Sequence, residues 1–419
     1  MVPFMENEPV PARLAGRNSK DITMDTAVKQ AWTGITCLEE WNRDRDTHGL
    51  DVVLLTHPRD DTDLVRLFPW SGHFTTDYRR ALLRHLRPMM GEVIETPRLN
   101  VGLLFATCLA EDMINPDTRR WCREMLAMEA LPALRRTGAR YVCLGGLTAS
   151  LTGYGRRLQG VADELGLTIT TGHSSTTVSV YRTYARACQE LELEPNRGRM
   201  VVLGLGSVGS GFVRLVLQQK EVPKSIVLVD RPNRVAHLEK LAAEFRNIAD
   251  IDISIETSTK DGEIKPDSAC YNCDYLISAI SSWNIIDIDR IAPGTVLVDD
   301  SQPNCWSRDA AWERCKTRLD IAPCEAGLID CSSIGYRAHF PFEFADHGPS
   351  GSRTAWCCLT EGMMLALDST LEPTIGEPTA ERVAKFNEAF DRLKFTAAAL
   401  QCEGRRLPVD ELRAAFPRR

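Results

Sequence analysis

The amino-acid sequence predicts an α/β protein of two domains, with helices at its carboxyl end packing back on them. Three observations lead there. A chain of 419 residues exceeds one typical domain. Short apolar runs bounded by turn residues alternate with segments of helical period. Residues 200 to 230 read as strand, glycine turn, helix, strand and acid. Met200 to Leu203 is apolar and enters Gly204-Leu205-Gly206-Ser207-Val208-Gly209. Phe212, Val213, Leu215, Val216 and Leu217 then form one helical stripe, and Ile226 to Val229 ends in Asp230. A bare GxGxxG is weak, but with these flanks it is the dinucleotide-binding turn of a Rossmann fold. Gly204 permits the turn, Gly206 lets backbone approach a pyrophosphate, and Gly209 lets helix pack on strand. The N–H groups at the helix start, from Ser207 and Val208 onward, face the anion.

Composition is that of a water-soluble globular protein, with 43% hydrophobic and 26% charged residues and a formal net charge of -7. No polyanion partner follows from that balance. No apolar run of membrane length occurs, and MVPFMENEPVPARLAG lacks a signal-peptide core, so a cytoplasmic location is expected. Fourteen cysteines scattered through apolar segments read as reduced, mostly buried thiols. The Cys270/Cys273 pair has no partner pair at zinc spacing, and no metal site is expected.

In chain order, residues 1–49 are a polar extension, weakly periodic over Ala27 to Trp41. Residues 50–173 are an α/β substrate domain. Within it Asp51 to Thr56 is a strand, while Asp77 to Met90 and Asp117 to Arg136 have helical spacing. Two strands, Arg140 to Leu144 and Leu167 to Thr171, exit into Gly145-Gly146 and Gly172-His173, where α/β proteins place ligand groups. Gly145, Gly146, Thr171 and Gly172 are therefore substrate candidates. Residues 174–196 are a connecting helix capped by the Ser/Thr run, and Pro195 with Gly198 ends it. Residues 197–325 are the Rossmann domain, continuing as a helix from Asn233 to Asn247 and strands at Ile251 to Glu256, Tyr275 to Ile280, Thr295 to Val298 and Leu319 to Ala322. Ser278 and Ala279, at a strand exit, join the cofactor candidates. Residues 326–419 hold the remainder of a long loop that starts at 324, a cysteine helix and terminal helices, with one helix expected over 379–401.

Trp356, Leu359, Met363 and Leu367 share one face of the cysteine helix. Cys358 lies off that stripe in the first turn, where partial positive charge favours a thiolate nucleophile; the alternative at this point is a small buried residue.

These residues also carry a resemblance. Leu144 to Thr148, Thr170 to Gly172, Val201 to Gly209, Val296 to Asp299 followed by Pro303, and Cys358-Leu359-Thr360-Glu361-Gly362-Met363 stand in one order. Over roughly residues 50 to 400 the chain resembles the aldehyde-forming long-chain acyl-[acyl-carrier-protein] reductases of cyanobacteria, and more distantly glutamyl-tRNA reductase. The resemblance implies an acyl-enzyme on a cysteine within CxxE[AG], matched by Cys358, and reduction of the acyl group by NADPH. It implies an acyl carrier protein or another acyl-thioester donor as partner. The segment from Leu67 to Arg98 does not resemble the family closely, so acyl length stays open. Arg231 matches a basic residue of the family and suits a 2′-phosphate, whereas Asp230 suits the ribose hydroxyl of NADH.

The chemistry agrees with the residue types. A thiolate exchanges readily with a thioester, and the oxyanion that follows needs donors, for which the Gly145-Gly146 and Gly172 backbones are candidates. His173 is the first side-chain proton-donor candidate, ahead of His339 and Tyr336. Residues 76–157 carry thirteen arginines, no lysine and eight acids, a charge that can steer an acidic carrier. Two alternatives remain, a cysteine-independent dehydrogenase and a non-catalytic nicotinamide-binding protein. The shikimate type of the first needs a lysine in the first domain, and residues 30–219 contain none.

Overall fold

The computed structural model describes residues 36–37, 49–58, 61–67, 69–90, 94–335 and 353–416. Two sheets organise it. The first contains β1 (Thr36–Cys37), β2 (Val52–Thr56), β3 (Met89–Met90), β4 (Ile94–Glu95), β5 (Asn100–Phe105), β6 (Tyr141–Leu144) and β7 (Thr168–Thr170). Its order is β1-β3-β5-β2-β6-β7, with β4 beside β5. The central strands β5, β2, β6 and β7 are parallel, whereas β1, β3 and β4 pair antiparallel at the edge. Val52 to Leu55 and Val101 to Phe105 are buried without alternation, as strands covered on both faces require.

The second sheet contains β8 (Arg199–Leu203), β9 (Ser225–Asp230), β10 (Asp252–Thr257), β11 (Tyr275–Ser278), β12 (Thr295–Asp299) and β13 (Ile321–Glu325). Its order, β10-β9-β8-β11-β12-β13, is parallel throughout. That is the doubly wound order 3-2-1-4-5-6 of the Rossmann fold. The strand order reverses between β8 and β11, so a crevice opens beyond their carboxyl ends.

The His173–Glu190 helix joins the two halves, packing on both the Ser207–Leu217 and Cys357–Leu367 helices. Close approach needs small residues: a methyl on Gly211 would lie 3.0 Å from Thr177 Oγ1. The Cys357–Leu367 helix lies across β6 and β2, with Gly362 against Cys143 Sγ and Val52. Leu359, Met363, Phe386 and Phe390 join Val52, Leu54 and Phe105 in one core beneath it.

Several expectations are corrected. The helix expected over Asp77 to Met90 spans Thr76–His85, and Met89–Met90 is a strand, because Pro88 disfavours helix in the residue before it. The Arg119–Arg136 helical run contains a π segment, Leu126–Ala130, just before Pro132, which has no N–H to donate. Gly172, not the Ser/Thr run, begins the connecting helix, and Ser174 to Thr177 are buried inside its first turns. Part of the loop expected from residue 324 is structured: Leu328–Asp330 (β14) pairs with Thr354–Trp356 (β15) and Thr396–Ala397 (β16). The terminal helix spans Ala380–Leu393 and stops where Lys394 takes a left-handed φ of 57°. Apart from β1, the extension 1–48 lies outside the described residues, as do His339 and Tyr336.

Candidate active site

A cavity of about 510 Å³ runs from the glycine turn, past both cysteines, into the first domain. Gly204 (φ 91°) passes so near β11 that a methyl there would lie 2.5 Å from the Ala279 oxygen, and Gly209 abuts the Gly204 oxygen. A methyl on Gly206 would meet nothing within 4 Å. The open side of the turn is thus the side that faces the cavity, which is the cradle a pyrophosphate requires. Asp230 Oδ2 accepts from Leu205 N at 3.0 Å and Oδ1 from Arg231 N at 2.8 Å, while Arg234 Nε stands 3.4 Å from Oδ2. Both carboxylate oxygens are therefore engaged, and the arginines give this end a positive rim. Gly204, Gly206, Ser207, Val208, Asp230, Arg231, and Ala279 all line the cavity.

At the other end the chain turns from β15 straight into the Cys357–Leu367 helix. The thirteen cysteines from Cys108 to Cys402 are free, and among them Cys358 alone is not buried. Both Cys357 and Cys358 line the cavity. Cys357 Sγ accepts from Thr176 Oγ1 at 3.2 Å and lies 4.0 Å from Asp300 Oδ1. A hydrogen bond with Cys358, together with burial, holds the Cys357 thiol well above the usual range, so Cys357 keeps its proton. Gly172, with φ 74°, lies against Cys358: a methyl there would come 2.5 Å from its Cα and 2.7 Å from its Cβ.

Glu361, one turn along, is fully buried. It accepts from Thr170 Oγ1, from Ser175 N at 3.0 Å and from Thr374 N at 3.1 Å. Burial raises its pKa, and those three bonds oppose the shift. The carboxyl thereby ties the cysteine helix to β7, to the connecting helix and to the 374 loop. Asp299 does similar work under the second sheet, accepting from Ser278 Oγ at 2.6 Å, Ser301 N at 2.9 Å and Cys305 N at 3.3 Å.

His173 lines the cavity, its Nδ1 2.8 Å from Ser207 Oγ and its ring edge-on to Tyr154. Burial lowers its pKa to about 4, so the imidazole is neutral at physiological pH. Gly146 and Thr171 line the cavity as well. Gly145 does not; its N–H donates to the Leu55 oxygen at 2.9 Å and its Cα faces Leu54, so it is no oxyanion donor. Ser278 is buried beneath Asp299 and is replaced as a cavity residue by Ala279. Gly172 and Gly209 act by close packing instead of ligand contact.

Asp300, Cys357, Thr176, Tyr154 and His57 were not legible as site residues. His57 Nε2 accepts from Leu147 N at 2.9 Å and Nδ1 lies 2.8 Å from the Pro58 oxygen, which marks a neutral structural imidazole. On the first-domain side the cavity is lined by apolar Leu54, Phe105, Ile114, Leu144 and Leu147 together with Thr56, His57, Asp63 and Ser150. Of the arginines expected to steer a carrier, Arg79, Arg80, Arg84 and Arg120 are ion-paired with Asp61, Glu111, Asp112 and Glu124. Among the described residues no metal-binding cluster occurs, and no helix is long and apolar enough to cross a membrane.

No protein-family model matches the chain. It is 23% identical over 349 residues to the aminotransferase PigE of Serratia sp. (strain ATCC 39006), a match covering 80% of this chain and 38% of that longer protein. Among solved structures it is similar to Plasmodium falciparum glutamate dehydrogenase, with 13% identity, 82% of this chain and 69% of that one covered, and a TM-score of 0.40. It is similar also to L-tryptophan dehydrogenase from Nostoc punctiforme, with 9% identity, 82% and 81% covered, and a TM-score of 0.35. A third similarity is to the NAD-dependent malic enzyme of Thermotoga maritima, with 15% identity, 94% and 96% covered, and a TM-score of 0.33. No function follows from likenesses at these scores; the α/β architecture, one sheet with a parallel centre and one parallel throughout, stands on the strand order and pairing themselves.

Proposed function

We propose that the chain is an NAD(P)H-dependent oxidoreductase that takes an acyl group from a thioester onto Cys358 and releases it as an aldehyde. One observation carries this reading. Among the thirteen cysteines from Cys108 to Cys402, the single incompletely buried thiol sits in the first turn of a helix, in the same cavity as the open glycine turn. A bound reduced nicotinamide supplies the hydride.

The chain's own residues do the rest. The first turn of the Cys357–Leu367 helix carries the Cys358 nucleophile, beside Cys357, which keeps its proton. Attack on a thioester forms the new C–S bond and expels the donor thiolate. The apolar side chains of Leu54, Phe105, Ile114, Leu144 and Leu147 hold the acyl chain. Gly206, Ser207 and Val208 present backbone N–H groups to the pyrophosphate, and Arg231 with Arg234 favours a 2′-phosphate, hence NADPH, with NADH as the alternative. His173, neutral and hydrogen-bonded to Ser207, positions the turn's first hydroxyl in the cavity that Cys358 also lines. An acyl carrier protein or another acyl-thioester donor is the proposed partner.

Aminotransferase chemistry, named for the relative, uses a lysine to hold its pyridoxal cofactor. No lysine lines this cavity among the described residues, which favours the thiol reading. The test is thioester-dependent oxidation of NADPH with aldehyde trapped as product. Turnover by the native protein and its loss in Cys358→Ser support the reading. Equal turnover by both proteins would replace it with a cysteine-independent dehydrogenase.

A further inference from the structure

One acid in the cavity stands apart from its neighbour. Asp299 and Asp300 are adjacent at the end of β12, but alternation along the strand sends them to opposite sides. Asp299 is satisfied by three donors, as described. Asp300, fixed by its N–H to the Ser278 oxygen at 2.9 Å, turns its carboxyl into the cavity. The hydrogen-bonding neighbour of that carboxyl is the Cys357 thiol, at 4.0 Å, and Gly327 leaves room beside Oδ1. The charged and titratable groups around it are Cys357, Asp299, Arg308 and Glu325, and Arg308 is ion-paired to Glu325. No ion pair to Asp300 occurs among the described residues.

We infer that Asp300 is a neutral carboxylic acid whose O–H donates to the carbonyl oxygen of the acyl group carried by Cys358. The inference rests on the thioester reading and adds its oxyanion donor. Burial first, and the neighbouring Asp299 carboxylate after it, push the Asp300 carboxyl well above the ordinary carboxyl range. A neutral carboxyl can donate where a carboxylate would repel the developing oxyanion. His173, held neutral, offers no imidazolium to do this. When the Cys358 thiolate adds to the thioester, the new S–C bond forms and the C=O π pair moves to oxygen, where the Asp300 O–H receives it. On collapse the C=O bond re-forms and the donor's C–S bond breaks, its electron pair leaving on the donor sulfur. Asp300 ends with its own proton.

Single-turnover acylation of Cys358, followed by intact-protein mass without any nicotinamide, tests this. The probes are acyl-CoA thioesters of graded length, applied to native protein, Asp300→Ala and Asp300→Asn across pH. Asp300→Ala is expected to slow labelling about 100-fold, and Asp300→Asn, which keeps an N–H donor, to recover part of that. The native rate should also fall as pH rises and Asp300 ionises, a limb missing from both variants. Labelling of both variants at the native rate and with the native pH profile would overturn the inference while leaving acyl transfer intact. No labelling of native protein at any pH would overturn the thioester reading and the inference with it.

Melting curves supply a second readout. A raised folded pKa means that the contribution of Asp300 to stability is present below the ordinary carboxyl range and is lost as pH rises through the folded value. Asp300→Asn should therefore gain on native protein in melting temperature as pH rises from acid to neutral. A melting-temperature difference between Asp300→Asn and native protein that stays constant from acid to neutral pH would show a purely structural aspartate.

Discussion

Gly172→Ala tests whether the position of Cys358 depends on the contact between the two halves of the site. Two costs add. A side chain at φ 74° takes a left-handed conformation, at about 1 kcal/mol for alanine. The added methyl also falls 2.5 Å from Cys358 Cα and 2.9 Å from its oxygen. Both are backbone atoms that cannot swing aside, and such overpacking costs about 1–3 kcal/mol. The sum, roughly 2–4 kcal/mol, lowers the melting temperature by roughly 4–8 °C at about 2 °C per kcal/mol for a chain of this size. If the clash is relieved by shifting the cysteine turn by about 1 Å, acylation slows on the order of 100-fold. The assay is a thermal melt by circular dichroism beside the rate of thioester labelling. Gly160→Ala is the control: it lies in the Gln159–Glu164 helix with nothing within 4 Å of an added methyl, and should melt at or slightly above native. A Gly172→Ala protein that melts with the control and labels at the native rate would refute the reasoning.

Three further outcomes follow. Gly206→Ala should leave folding within about 0.5 kcal/mol of native yet weaken NADPH binding about tenfold by calorimetry, because its methyl enters the open cavity; Gly209→Ala, abutting the Gly204 oxygen, should impair folding itself. Arg231→Ala should weaken NADPH about tenfold and leave NADH nearly unchanged, measured by fluorescence titration of both. Glu361→Ala strands the Ser175 and Thr374 N–H groups in a buried site, and at about 1–3 kcal/mol each the loss in urea unfolding should reach about 3–5 kcal/mol.

The parts legible in the sequence were those whose chemistry is local. The glycine turn declares itself because three glycines, an apolar strand and a closing acid lie within one βαβ unit. Cys358 was legible through the helix stripe, which fixes its turn, and through the resemblance. The β5 strand was not recognised, although it is central in the first sheet. Val101 to Phe105 is a short apolar run without alternation, and such a run is ambiguous until strands on both sides cover it. Asp300 was hidden for another reason. Of two adjacent aspartates, only the pleat of β12 decides which is sealed beneath Ser278 and which faces the cavity. The buried grip of Glu361 joins residues 191 and 186 positions apart, and no local spacing announces it.

The most direct test of the account is an intact-protein mass spectrum after incubation with a panel of acyl thioesters and no nicotinamide, on native protein, Cys358→Ser and Cys357→Ser. The account predicts one acyl mass on native and Cys357→Ser protein, none on Cys358→Ser, and discharge of the adduct as aldehyde when NADPH is added. A native protein that binds NADPH but gains no acyl mass from any thioester would contradict it.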